Sequence, residues 1–264
     1  MLICLKIKYL KFTFLGTGTS QGVPIIGCNC PVCLSKNPKD KRLRSSVMFQ
    51  WDNYTYVLDS GPDFRQQMLR ENVQRIDGIL YTHEHTDHII GLDDFRPFFY
   101  KQKSDIPLYA ESNVMEAISL RFSYIFGTTI YPGKPNVIQH ILEPNTSILL
   151  GNKKIDCIRV MHSALPILGF KMDNILYMTD VKTVPDESMH YFENLDILVV
   201  NALRKEEHHG HFTLQEALDF IEKVKPKRAY LTHISHLLGL HDDVSENLPD
   251  NVFLAYDGLC LETE

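Results

Sequence analysis

The run Leu80-Tyr81-Thr82-His83-Glu84-His85-Thr86-Asp87-His88 constrains this chain more than any other stretch. It sets three imidazoles and a carboxylate within six positions, directly after an apolar segment. A lone histidine is more often a surface or capped core residue than a ligand. Three of them with an aspartate, in HxHxDH order, match what a metal site requires. His83 and His85 are two apart, so in extended backbone they point to the same side and can hold one ion together. Asp87 and His88, just beyond, would face a second ion.

Further candidates close other apolar runs. His162 follows Cys157-Ile158-Arg159-Val160-Met161, Asp180 follows Leu176-Tyr177-Met178-Thr179, and His233 follows Ala229-Tyr230-Leu231-Thr232. Each stands where a strand would end, and loops at strand ends are where a rigid sheet displays reactive groups. Taken alone, each reads as an ordinary structural residue. Together with His83, His85, Asp87 and His88 they make five histidines and two aspartates, enough for two ions.

The rest of the pattern says what has to carry these ends. Strand-like runs lie at 54–58, 78–81, 107–110, 154–160, 175–178, 197–200, 228–231 and 252–255. Near the start, Leu10, Phe12 and Phe14 alternate with Lys11 and Thr13, the period of a half-buried strand, and residues before Tyr9 read as an edge segment or a frayed end. Helices are expected at 62–71, 114–126 and 213–223, the last with Leu214, Ala217, Leu218 and Ile221 on one face. Strands outnumber helices, which predicts sheets covered by helices in an α/β layered architecture. With no repeat, low-complexity tract or linker, one domain spanning residues 1–264 is the economical expectation.

HxHxDH at His83–His88 resembles the signature of the metallo-β-lactamase superfamily, and the later residues follow in the family's order. The resemblance implies a four-layer αββα sandwich. It also implies that His83, His85 and His162 bind one ion, that Asp87, His88 and His233 bind the other, and that Asp180 bridges them. Two such cations, about 3.5 to 4 Å apart, bridge a water, lower its pKa toward neutrality and clamp the entering and leaving oxygens. The ligand set is all nitrogen and oxygen, which suits zinc, manganese or iron, and the resemblance leans to manganese or zinc.

A second constellation lies earlier. Gly27-Cys28-Asn29-Cys30-Pro31-Val32-Cys33 offers three thiolates on a tight loop, one short of a closed tetrahedral zinc site. His236, three residues after His233, is the natural fourth ligand. It would tie the N-terminal loop to the C-terminal part of the chain. The glycines of Gly16-Thr17-Gly18-Thr19-Ser20-Gln21-Gly22 could be mistaken for a dinucleotide loop, but no helix is expected after them. GTGTSQGVPIIGCNCPVC, HxHxDH and THISH together resemble the PhnP-type phosphodiesterases, a branch near tRNase Z, over nearly the whole chain. That branch implies one structural zinc on Cys28, Cys30, Cys33 and His236 beside a dinuclear site acting on cyclic or strained phosphodiesters, and it implies a homodimer.

A departing oxygen leaves faster if a second group protonates or stabilises it. His211-Phe212-Thr213 resembles the HxT segment that supplies such a histidine, with His209 as the fallback and His208 and His209 otherwise read as a solvated loop. Asp87 could also orient or deprotonate the water. The basic run 36–44 reads first as a solvated loop, with Arg42 and Arg44 as candidates for phosphate contact. Arg96 has a similar claim.

Charge and cysteine usage narrow the classes. A formal net charge of −6 disfavours a protein whose main task is to grip long nucleic acid. No apolar run is long enough for a bilayer, and Lys6, Lys8 and Lys11 interrupt the only stretch that raises a signal-peptide question. The six cysteines, three of them clustered and Cys4, Cys157 and Cys260 scattered, form no disulfide ladder. The expectation is a cytoplasmic metal-dependent phosphodiesterase acting on a small substrate, with no membrane and no stable nucleic-acid complex. Its rivals are a tRNA 3′-processing endonuclease, a thioester or lactone hydrolase, and a non-catalytic metal-stabilised module. Only 17 residues, positions 163 to 179, separate His162 from Asp180, too few for a tRNA-holding arm there.

Overall fold

The computed structural model describes residues 7–128 and 131–263. Contacts within the chain cluster in two compact units. One takes the chain up to Leu15, Ser46–Leu142 and the stretch from Gly258; the other takes Gly16–Ser45 and Glu143–Asp257. Each is built on its own seven-stranded sheet.

The first unit carries β1 (Ile7–Gly16), β2 (Ser46–Asp52), β3 (Tyr54–Leu58), β4 (Gly78–Leu80), β5 (Ile106–Ala110), β6 (Val137–Ile141) and the last strand, β14 (Cys260–Thr263). They run in the order β14-β1-β2-β3-β4-β5-β6. The β14-β1 and β2-β3 pairs are antiparallel, and β3 through β6 are parallel. Parallel neighbours need crossovers, and helices supply them. Among these are α2 (Phe64–Arg70), between β3 and β4, and α5 (Ser112–Arg121) with α6 (Ser123–Phe126), between β5 and β6. The helix expected at 114–126 is broken at Phe122, whose backbone (φ −110°, ψ 40°) leaves helical geometry while its ring stays buried. β1 departs from the half-buried expectation too, since Thr13 and Leu15 are as buried as Phe12 and Phe14. Cys4 and the residues before Ile7, part of the expected edge segment, lie outside the described residues.

The second unit carries β7 (Thr146–Leu150), β8 (Lys153–His162), β9 (Leu165–Met172), β10 (Ile175–Tyr177), β11 (Ile197–Asn201), β12 (Arg228–Thr232) and β13 (Val252–Leu254), hydrogen-bonded in sequence order. β7 to β10 form an antiparallel meander, and β10 to β13 are parallel. α7 (Leu214–Val224) crosses between β11 and β12. Thr213 starts it with a capping box, its hydroxyl taking the Glu216 N–H while the Glu216 carboxylate takes the Thr213 N–H. The parallel strands read as continuous apolar runs because both faces are buried: all five residues of β11 are buried. Each unit has its own apolar core, around Phe64, Ile79 and Phe95 in the first and around Ile158, Leu198 and Leu231 in the second. Among the described residues no helix is long and apolar enough to cross a membrane.

Candidate metal centre

In the first unit the chain leaves β4 held by the Tyr81 N–H on the Tyr109 carbonyl, bends at Thr82 and runs to His85, whose extended backbone (φ −62°, ψ 145°) stands at the start of the short α3 (Thr86–Ile89). His83 and His85 share a side, with His83 Nε2 3.0 Å from His85 Nδ1. The turn of α3 then swings His88 back, its ring centroid 4.2 Å from that of His83 and its Nε2 3.2 Å from Asp87 Oδ2. The four side chains expected from the motif thus meet within one local turn.

Behind them stands Asp59, the residue after β3, with a left-handed φ of 63° and a fully buried carboxylate. It accepts the Thr82 N–H at 2.9 Å, the Thr82 hydroxyl at 2.9 Å and His88 Nδ1 at 2.7 Å. A carboxylate there assigns the proton of His88 to Nδ1 and leaves Nε2 as the ligand atom on the Asp87 side. Thr82, having given its proton to Asp59, accepts from His83 Nδ1 at 2.9 Å, which fixes the same tautomer. Burial pushes the Asp59 carboxyl up, and the charge and hydrogen bond of His88 oppose that shift.

In the second unit the candidates arrive from four separate places. His162 ends β8, Asp180 (φ 58°) follows β10 by three residues, His211 precedes α7, and His233 (φ 53°) follows β12 directly. His162, Asp180 and His211 each present a ligand atom within 4.8 Å of the others. His233 stacks on His211 with centroids 4.8 Å apart, its Nδ1 3.2 Å from Asp180 Oδ2. Thr179 donates its hydroxyl to Asp180 Oδ2 at 2.7 Å and lies 3.3 Å from His233 Nδ1. Ser45 lies 3.2 Å from the same nitrogen and donates to the Gly18 carbonyl at 3.0 Å. With both hydroxyl protons directed elsewhere, His233 Nδ1 is the donor and Nε2 the ligand atom. His209 is exposed and stacks on His208 instead.

The donor chemistry of both sets fits a hard or borderline divalent ion: imidazole nitrogens with one tautomer fixed, and carboxylates already hydrogen-bonded. His211 Nδ1 adds a second sign. It is buried, 3.6 Å from Asp180 Oδ1, and has no hydrogen-bond partner among the described groups. Burial first, then the neighbouring His233, His162 and His208, pull His211 down to about 3, against Asp180. Its imidazole is neutral at pH 7, an N–H donor rather than a store of a spare proton.

The cysteine loop closes on itself in the second unit. His236 Nδ1 lies 3.4, 3.3 and 3.6 Å from the sulfurs of Cys28, Cys30 and Cys33. Cys30 caps the single turn α1 (Pro31–Leu34), and its sulfur accepts the Cys33 N–H, while Cys33 Sγ accepts that of Ile25. Such N–H···S bonds favour thiolate. They draw Cys30 down to about 6, the backbone of Cys33 contributing most, whereas burial holds Cys33 up at about 11. The four form a tetrad of ligand atoms within 4.8 Å of one another, the composition of a structural zinc site.

The basic candidates divide. Arg42 is 4% exposed, so the run 36–44 is not a solvated loop throughout and Arg42 is not available to phosphate. It donates to Thr17 Oγ1, the Ala255 carbonyl and His241 Nδ1, with Asp257 and Asp40 as counter-charges, and burial pulls it to about 10. Arg44 Nε donates to the Ser20 carbonyl. Arg96 pairs with Asp93 three residues before it on the chain. Asp59, Thr82, Ser45 and Thr179 were not singled out in the sequence. Only Asp59 had a legible signal, an aspartate closing a strand-like run, as Asp180 nearly does.

A family model for the beta-lactamase superfamily domain matches residues 54–234. The chain is similar to a solved structure described as a new diphosphatase from the PhnP family, with 41% identity, a TM-score of 0.90, and 97% and 98% of the two chains covered. It is 37% identical to an octanoyltransferase of Porphyromonas gingivalis over 95% of this chain and 51% of that protein. Human tRNase Z, short form, is similar at 21% identity and a TM-score of 0.72, over 95% and 98% of the chains, a likeness of fold. The chain spans about half the length of the curated relatives it matches.

Proposed function

The chain belongs to the metallo-β-lactamase superfamily, in its PhnP-type branch and with that fold, and from this premise we propose that it is a metallo-hydrolase cleaving a phosphorus–oxygen bond in a small phosphodiester or diphosphate. The observation that carries the reading is the gathering of tautomer-fixed imidazoles around a carboxylate in each unit. In this proposal His83, His85 and His162 hold one ion, Asp87, His88 and His233 hold the other, and Asp180 serves both. Cys28, Cys30, Cys33 and His236 hold a structural zinc.

Two divalent ions, when bound, supply an acidified water and Lewis-acid stabilisation of the phosphoryl oxygens. The protein's own groups do the rest. Asp59 and Thr82 keep the ligand faces of His88 and His83 turned the same way, and Thr179 and Ser45 do so for His233. Asp87 accepts a proton or a hydrogen bond from the attacking water. His211, neutral and aimed beside Asp180, donates its N–H to the departing oxygen. An anionic phosphate brought against that ring favours its protonated form, which is how it could act as an acid.

The diphosphatase description of the similar structure favours adding an anhydride to the cyclic diesters implied by the motifs. An acyl-transfer reading, suggested by the name of the Porphyromonas gingivalis relative, has less behind it. That name belongs to a protein about twice as long, and within this chain Cys157 is fully buried and the clustered cysteines face His236. Processing of tRNA is disfavoured because β9 and β10 take up most of the stretch between His162 and Asp180. The test is turnover of bis(p-nitrophenyl) phosphate, a 2′,3′-cyclic nucleotide and a dinucleoside diphosphate with added Mn²⁺. Asp87→Ala is expected to cut the rate by roughly a thousandfold or more, and His211→Ala to lower kcat by about a hundredfold. No turnover of any of the three by metal-replete protein would sink the reading and send the search to thioesters and lactones.

A further inference from the structure

Gly210 lies between His209 and His211, and three imidazoles depend on its backbone or on its lack of a side chain. Its carbonyl is 2.6 Å from His162 Nδ1. A carbonyl only accepts, so that nitrogen carries the proton and Nε2 keeps its lone pair. Its N–H donates to His208 Nδ1 at 3.1 Å. The next residue places the His211 ring 4.5 Å from that of His162. A Cβ built on Gly210 would fall 2.6 Å from Cε1 of His162, 3.1 Å from Nδ1 and 3.6 Å from Nε2, so its three nearest neighbours are one ring. No backbone or core atom comes as close, and the φ of Gly210 lies outside the left-handed region that favours glycine. A methyl group here therefore presses first on a candidate ligand rather than on backbone.

We infer that Gly210 is a positioning residue that sets the ligand face of His162, holding its tautomer through the carbonyl and its place through the absence of a Cβ. The inference rests on His162 being a metal ligand, as proposed above. Gly210→Ala should separate folding from metal binding. Alanine restricts the unfolded chain more than glycine does, so the variant without added metal melts at the same temperature or slightly higher. Its sulfur-bound zinc is retained. The displaced ring, however, weakens Mn²⁺ binding by about 10- to 100-fold, the usual effect of disturbing a group that orients a ligand.

The experiment is calorimetric titration of the full chain with Mn²⁺ for the parent, Gly210→Ala, His162→Ala and the double variant, with bound zinc counted and thermal melting recorded for each. Expected are weaker Mn²⁺ binding in both single variants and no further loss when Gly210→Ala is added to His162→Ala, since no ring is left to meet. Parent-like Mn²⁺ affinity in Gly210→Ala beside a weakened His162→Ala overturns the inference while leaving the ligand reading standing. So does an equal loss in both backgrounds. Parent-like affinity in His162→Ala defeats the ligand reading and this inference with it. If Gly210→Ala fails to fold, the double variant should fold again, and its failure to do so overturns the steric account.

Discussion

The two units solve one problem in different ways. In the first, His83, His85, Asp87 and His88 come from a single strand-to-helix turn and are backed by two residues, Asp59 and Thr82, whose hydrogen bonds are all buried. In the second, His162, Asp180, His211 and His233 come from four chain segments, and their supports are equally scattered: Gly210, Thr179 and Ser45. A local cluster inherits its geometry from backbone spacing. A dispersed one has to have each ring aimed separately, by whatever hydroxyl, carbonyl or missing side chain the fold brings to it.

The largest test of that contrast is at the sulfur tetrad, which belongs to the dispersed unit. Cys30→Ser should lose one zinc per chain and roughly several kcal/mol of local stability. Because Thr17 and Ser45 hold the His233–Ile234 segment, amide exchange should rise across Gly16–Ser45 and around His233, and stay unchanged in Ser46–Leu142. Uniform loss of protection in both units would break the contrast. Next in size, Asp59→Asn removes the carboxylate from the local cluster and turns one of the two oxygens on which three donors converge into an amide N–H₂. Metal affinity should fall about 10- to 100-fold, read by competition with a chelating dye, with melting of the second unit unaffected. Unchanged affinity would show that the local turn needs no support behind it.

The smallest effect is a pH dependence in the scaffold of the second unit. His241 takes the Arg42 guanidinium on Nδ1, so it must be neutral, and burial first, then Arg42, hold it down at about 4. An unfolded histidine titrates near 6.5. Between those values the unfolded chain binds the extra proton and the folded chain does not, so this contribution to stability is complete above about 6.5 and is lost as pH falls toward 4. It should amount to roughly 1 kcal/mol between pH 7.5 and 5.5, and His241→Asn should flatten the denaturation profile by that difference. A profile as steep as the parent's would show that His241 is not the titrating group.

Legibility follows the same division. The local turn was readable because a period of two and a helix start can be counted along the chain, and the strand ends at His162, Asp180 and His233 because apolar runs announce them. β9 was missed, as its sequence holds Pro166 and Gly169, which argue against a strand. Pairing with β8 and β10 overrides that. β2, β14 and the edge strands β6 and β7 are likewise absent from the strand-like runs; β6 and β7 each carry three apolar residues, but most of their side chains are exposed, so pairing at a sheet edge rather than an alternating buried face makes them strands.

The sequence alone determined the residue types that can bind ions and their order, because ligand chemistry and near-neighbour spacing are local properties. Only the tertiary structure decided what aims them. Ser45 meets His233 across 188 positions, and Arg42 meets the Ala255 carbonyl across 213, which turns an apparently solvated basic residue into a buried strut. Contacts at such separations are set by sheet order and register, and no spacing rule along the chain encodes them.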